Sequence, residues 1–311
     1  MYYSIKEVSN KLNARKILYK NCILASKEFD LGIEFVFYYC FCKNKYRKLL
    51  KKVIKNILVE YDAKYKNETI IQKKIIKDNY KIWVMWLQGK ECMPETIKAC
   101  YKRVMKFSGD YQVIFISEKN IDQYITVPSV IKQKYKTGAI AQAQFADYIR
   151  VSLLKKYGGL WLDASIYCMH EIKNLEDLNL LTGKKEGIRK WTTFLIGTNE
   201  TNNKMFTLLK IYFEKYWQNY NVLIDYFLFD LFIEYLYENH ADIKEMLDSI
   251  ADNNTEIFAL LKLLNEPYDE SLYKYIENTH TFQKLSQKKT YRQKKKGKMT
   301  FGEVLLRENI D

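Results

Sequence analysis

Apolar residues fall into two kinds of spacing along this chain, and each predicts a different element. In KNKYRKLLKKVIKNILVEY, Tyr46, Leu49, Leu50, Val53, Ile54, Ile57 and Leu58 recur every three or four positions against a lysine and arginine background, the period of a basic amphipathic helix. From Tyr80, KIWVMWLQG is a compact run of strand type, and YQVIFIS from Tyr111 to Ser117 is another. Between them Pro94 stands where a first helical residue belongs, and Ile97, Tyr101, Val104 and Met105 form one apolar face through Phe107. Strand, helix and strand at this spacing predict a parallel βαβ unit with a right-handed crossover. Ligands of such sheets bind beyond the carboxyl ends of the strands, here Gln88-Gly89 and Ser117-Glu118.

No helix breaker interrupts Ala141 to Tyr157, and Phe145, Ile149, Leu153 and Leu154 make its apolar stripe. WTTFLIG from Trp191 reads as a strand, and Lys204 to Tyr216 as a helix with Met205, Leu208, Leu209, Tyr212 and Phe213 inward. NVLIDYFLFDLFIEYLY reads as a buried helix with Phe227, Leu228 and Leu231 in the core and Asp225 at its start. LGIEFVFYYCFCK from Leu31 is too short to span a bilayer and contains Glu34, so it is expected to be a buried helix or strand. The tail TFQKLSQKKTYRQKKKGK is basic and polar, as solvated or disordered segments are. The change of pattern at Tyr80 divides the chain into an N-terminal helical region, 1–78, and an α/β domain, 79–311.

Composition narrows the class. A chain of 311 residues with 48% hydrophobic content can bury a large core, and only 3 prolines and 11 glycines leave room for long helices, so the expectation is α/β with extra helix. The formal charge of +14 favours anionic partners: nucleotides, sugar phosphates, anionic lipids or nucleic acid. The basic helix through Tyr46 fits either packing on the core or lying peripherally on an anionic membrane. The six cysteines form no C-x-x-C pair and the three histidines are scattered, which argues against zinc. The opening residues are polar and lysine-rich without a signal-type apolar core, so free thiols in the cytoplasm are expected.

The chemistry concentrates in FADYIRVSLLKKYGGLWLDASIYC, from Phe145 to Cys168. Asp147 and Arg150 lie one helical turn apart and share a face. Gly158 falls where the helix end needs a positive φ, and Gly159 lets the chain turn at once into a short strand that ends at Asp163. Taken singly, these residues read as a surface ion pair, a cap and a turn residue; together, two carboxylates and a guanidinium suit an anionic, hydroxyl-rich ligand.

A-D-Y-I-R followed by L-L-K-K-Y-G-G-L-W-L-D-A-S resembles the donor-site signature of capsular polysaccharide synthesis glycosyltransferases. These are similar to a wider group that includes initiating mannosyltransferases and the glucosylating clostridial toxins, and the resemblance runs from Ile82 to Asp225. It implies a GT-A fold, a Rossmann-like nucleotide-sugar domain with a mixed or parallel sheet. Asp147 and Arg150 would contact the donor sugar, and Asp163, first carboxylate of the D-x-D element, would touch ribose and sugar near a metal ion. Trp86 would stack on the base, with Gln88 and Gly89 beside the nucleotide and Gly159 among the donor-binding positions. Asp225 would act near donor or acceptor, and Lys284, Ser286 and Lys288 would belong to a loop closing over the diphosphate.

The second D-x-D carboxylate is here Ser165. Mn²⁺ or Mg²⁺ prefers charged carboxylates, so an ion held at Asp163 and Ser165 would depend on the diphosphate and waters. The implied activity is transfer of a hexose from a nucleoside-diphosphate sugar, UDP-sugar foremost, to a capsular or surface glycan with retention at the anomeric carbon. Two other classes fit parts of the sequence: a basic nucleic-acid binder without catalysis, which explains the charge but not the Gly-Gly turn, and an inactive scaffold of the same fold.

Overall fold

The structure is a computed structural model and describes residues 5–65, 70–177, 180–182, 191–251 and 253–307. The chain divides into two compact units, one taking 1–69, 127–151 and 207–241, the other 70–126, 152–206 and 242–311.

The first unit is helical. It holds α1 (Ile5–Glu28), α2 (Gly32–Phe41), α3 (Lys43–Tyr65), α6 (Ser129–Lys136), α7 (Gln142–Tyr157) up to Val151, α8 (Lys204–Asn219) from Thr207, and α9 (Leu228–Asn239). The three-and-four spacing of α3 does what it predicts: Leu50, Val53, Ile54, Ile57 and Leu58 are buried while the intervening lysines remain at the surface. Leu208, Leu209, Tyr212 and Phe213 of α8 are fully buried, and the rings of Phe213 and Phe232 meet edge to face at 5.1 Å.

Two expectations fail in this unit. The segment from Leu31 is a helix, α2, but it buries only Phe35 and leaves Ile33, Phe37 and Phe41 exposed. Its hydrophobicity therefore reports an apolar surface rather than a core. Phe227 is 45% exposed because α9 starts one residue later, so Phe227 stands in the preceding turn, off the periodic face that buries Leu228 and Leu231.

The second unit contains the sheet. Its strands are β1 (Lys73–Lys74), β2 (Lys81–Met85), β3 (Gln112–Ile116), β4 (Gly159–Asp163), β5 (Ile166–Cys168), β6 (Leu181–Thr182), β7 (Leu195–Thr198), β8 (Glu200–Thr201) and β9 (Phe282–Lys284). The main sheet has the order β3-β2-β4-β7-β6, with β2 parallel to both β3 and β4 and β7 antiparallel to β4. The fold is thus mixed α/β, as expected. Ile82, Trp83, Val84 and Met85 are buried without alternation, which is what a strand buried on both faces requires. Between β2 and β3 runs α4 (Glu95–Phe107), with Pro94 just ahead of it; Ile97 and Val104 join the sheet core, whereas Met105 is half exposed. WTTFLIG contributes a strand only in its second half.

The basic tail is ordered rather than disordered, although Lys288, Lys294, Lys296 and Lys298 stay exposed to solvent as its composition predicts. Phe282–Lys284 is strand β9, Lys294–Lys295 (β10) pairs with Lys298–Met299 (β11), and a last helix, Phe301–Arg307, follows. The cause is the apolar residues within and just after the lysine run: Leu285, Phe301 and Leu305 share a buried cluster with Tyr167 and Leu260.

Candidate functional site

The candidate centre forms where β4 ends. Gly158 and Gly159 carry φ of 63° and 93°, and a Cβ on Gly159 would lie 2.3 Å from the Lys81 carbonyl oxygen. Glycine is required there by the close approach of β2, and the indole of Trp83, wholly buried, donates to the Gly158 carbonyl at 2.8 Å. Gly159 is therefore accounted for by packing. The strand then delivers Asp163 to the carboxyl end of the sheet's central strand.

Two residues before it, on the same strand face, Trp161 donates from Nε1 to Asp163 Oδ1 at 2.9 Å. The other oxygen, Oδ2, accepts from Lys284 Nζ at 2.8 Å, and the same ammonium donates to Ser165 Oγ at 2.7 Å. The strand register explains the meeting: β5 pairs antiparallel with β9 so that Ile166 faces Lys284, and the Leu285 amide donates to the Ser165 carbonyl at 2.9 Å. The ammonium also lies 4.9 Å from the centre of the Phe194 ring, whose carbonyl accepts from the Asp163 amide at 2.9 Å. Side-chain exposures of 17% for Lys284 and 29% for Asp163 leave the cluster open to a ligand.

These residues do not fit a divalent ion. Ser165 offers a neutral oxygen where a carboxylate would be wanted, and no group of three or more His, Cys, Asp or Glu suited to a metal occurs among the described residues. The ammonium already bridges the two side chains that would have to hold the ion. Unit charges 4 Å apart near a protein surface interact by about 4 kcal/mol, and a divalent ion beside Lys284 would double that repulsion.

The remaining sequence candidates fall into smaller groups. Trp86 follows the end of β2, half-buried, with its amide donating to the Ile116 carbonyl and its indole to the Cys92 carbonyl at 3.2 Å. Gln88 is exposed, and Gly89 has φ of 93° with nothing within 4 Å of where a Cβ would sit. Ser286 is half-buried and accepts from the amide of exposed Lys288 at 3.3 Å. Lys284 belongs to a strand, not to a loop.

In the helical unit, Asp147 and Arg150 pair at 3.4 Å on α7, with Arg150 buried and its guanidinium 5.6 Å from the Phe229 ring centre. Asp225 has a structural occupation. It accepts from the Phe227 amide at 2.8 Å, holding the turn into α9, and from the Tyr46 hydroxyl at 3.0 Å. Burial first, then the Asp225 carboxylate, push the Tyr46 hydroxyl well above its ordinary range.

Sequence reasoning missed Trp161 and Phe194. Trp161 had a signal, because W-x-D on a strand puts both side chains on one face; Phe194 had none, since its place depends on how β7 is approached.

A carboxylate and an ammonium at the carboxyl end of the central strand of a mixed sheet is where open α/β proteins bind ligands. This chain belongs to the family of capsular polysaccharide synthesis proteins, whose profile matches residues 38–304. It is also similar to an uncharacterized glycosyltransferase of Acanthamoeba polyphaga mimivirus, 29% identical over 98 residues that make up 30% of this chain and 36% of that protein. The matched stretch is thus little more than a third of that relative's length. Among solved structures it resembles the PaToxG glycosyltransferase, with 16% identity, coverage of 65% of this chain and 83% of that one, and a TM-score of 0.36.

Proposed function

We propose that the protein is a glycosyltransferase of GT-A type, with 79–311 as its catalytic region, that moves a hexose from a nucleoside-diphosphate sugar to a hydroxyl of a capsular or surface glycan. The observation that carries this reading is the Asp163, Ser165 and Lys284 cluster at the end of β4, in a chain of the capsular synthesis family. Asp163, oriented by Trp161, would accept hydrogen bonds from donor hydroxyls; Lys284 would face the diphosphate. Trp86, with Gln88 and Gly89 beside the nucleotide, would stack on the base. Asp147 and Arg150 would contact the donor sugar, as the sequence resemblance implies.

In the reaction, the acceptor hydroxyl oxygen bonds to the anomeric carbon, and the bond from that carbon to the β-phosphate oxygen breaks. Its electron pair stays on the nucleoside diphosphate, and the hydroxyl proton leaves to a phosphate oxygen or solvent. The demand on the protein is positional and electrostatic, because the charge on the departing diphosphate has to be met. A thermal-shift panel of nucleoside-diphosphate sugars tests the reading. A donor at a hundredfold its dissociation constant adds about 2.7 kcal/mol of stability, whereas no shift with any donor would refute it.

The acceptor would be reached at a membrane. Ile33, Phe37 and Phe41 are exposed along one side of α2, and exposed Lys43, Lys45, Lys48, Lys52 and Lys55 follow on α3. Apolar side chains beside a basic row suit the inner, anionic face of a cell membrane. Among the described residues no helix is long and apolar enough to cross it. Sedimentation with phosphatidylserine vesicles, but not with phosphatidylcholine alone, is expected, and Phe37→Ser with Phe41→Ser should abolish it; equal recovery with both vesicle types would count against a charge-dependent contact.

A further inference from the structure

We infer that the Lys284 ammonium takes the place of a divalent cation at this site, so that the donor diphosphate is held, and its departure stabilised, without a metal ion. The inference rests on the glycosyltransferase reading of the same residues and adds how the leaving-group charge is met.

Three observations carry it. The ammonium stands at hydrogen-bonding distance from both Asp163 and Ser165, the two side chains a cation would bridge. Its position is fixed by the fold: the Lys284 amide donates to the Ile257 carbonyl at 2.6 Å, the neighbouring Leu285 amide to the Ser165 carbonyl, and the side chain is 17% exposed. The charges also balance. Two carboxylates with a divalent ion sum to zero, and so do one carboxylate, one hydroxyl and one ammonium, so the neutral hydroxyl of Ser165 and the charge of Lys284 match each other.

An ammonium has three N–H donors. With Asp163 and Ser165 accepting two, the third is available to an oxygen of the β-phosphate, where negative charge accumulates as the bond to the anomeric carbon breaks. No proton need be transferred: the electron pair remains on the diphosphate, and the ammonium stabilises it as a donor of a charge-assisted hydrogen bond.

The test is calorimetric titration of the full-length chain with UDP, GDP and ADP, once in EDTA and once in Mn²⁺. For the nucleotide that binds, affinity in EDTA should match that in Mn²⁺ within about threefold, a difference well under one decade of affinity. Lys284→Ala should weaken binding in EDTA by about ten- to a hundredfold, the loss expected of a hydrogen bond to a charged group. Lys284→Gln, which keeps most of the side-chain volume, gives the same reading if the alanine variant fails to fold. Adding Ser165→Asp to Lys284→Ala should restore binding in Mn²⁺ but not in EDTA, and only this double variant should attenuate the free Mn²⁺ paramagnetic resonance signal before nucleotide is added. Nucleotide binding by the wild type that requires Mn²⁺, or unchanged affinity in EDTA for both lysine variants, overturns the inference while leaving the glycosyltransferase reading intact. Binding of no nucleoside diphosphate under either condition overturns both.

Discussion

Asp62 in the helical unit and Asp163 in the α/β unit are both gripped by neighbouring side chains, and the two grips are of different kinds. Asp62 is 7% exposed and accepts from the Tyr212 hydroxyl at 2.5 Å, the Tyr235 hydroxyl at 3.3 Å and His240 Nε2 at 2.7 Å. Every partner is itself buried, so the circuit is closed. Burial alone would raise the Asp62 carboxyl, but the hydrogen bonds from His240, Tyr212 and Tyr235 outweigh it and hold it below the usual range. Asp163 is held by an indole and an ammonium at a partly open strand end, where a ligand can reach it. A closed circuit of polar groups in a core stabilises one packing; an open one leaves charge for something else to meet.

The sharpest way to separate the two is to remove each carboxylate. Asp62→Ala strands three buried donors and should cost about 3–5 kcal/mol in denaturant unfolding, as breaking a buried charged network does, with nucleotide affinity unchanged in whatever fraction stays folded. Asp163→Ala should do the reverse, lowering donor turnover by about a hundredfold or more with little change in unfolding midpoint. If Asp62→Ala were neutral in stability, or Asp163→Ala lost the fold, the distinction would collapse.

A smaller effect distinguishes the two glycines on which the α/β unit turns. Gly159→Ala drives a Cβ into the Lys81 carbonyl at positive φ and should cost about 2 kcal/mol or more. Gly89→Ala meets open space and should cost only about 1 kcal/mol of backbone strain while weakening nucleotide binding if that turn approaches the donor. Equal stability losses for the two would mean that packing at β2 and β4 is looser than the strand approach implies.

The acid limb gives the smallest expected effect. Because the folded-state value of Asp62 is depressed, its contribution is complete above the ordinary carboxylate range and is lost as pH falls through the lowered value. Urea midpoints should therefore decline below about pH 4, and Asp62→Asn should flatten part of that slope. An identical slope in the variant would assign the acid sensitivity to other carboxylates.

Much of the fold was legible because it is local. The spacing of Leu50 to Leu58, the compact run at Ile82 to Met85 and the Gly-Gly turn into Leu-Trp-Leu-Asp each specify an element and its end without reference to distant residues, and Asp163 is found at the carboxyl end of its strand as that turn predicts. What escaped depends on pairing at a distance. Lys284 meets Asp163 across 121 positions through the register of β5 with β9, and a lysine-rich tail hides the few apolar residues that fold it. Hydrophobicity also misled where it serves the surface, since Phe37 and Phe41 are indistinguishable in sequence from core residues.

The central claim, that the Asp163, Ser165 and Lys284 cluster handles an activated sugar, is tested most directly by incubating the wild type and Asp163→Asn with a panel of nucleoside-diphosphate sugars and measuring released nucleoside diphosphate and hexose by mass spectrometry. Slow hydrolysis of one donor by the wild type, and about a hundredfold less by Asp163→Asn, is the expected result. Equal release by the two proteins, or release from none of the donors, would contradict it.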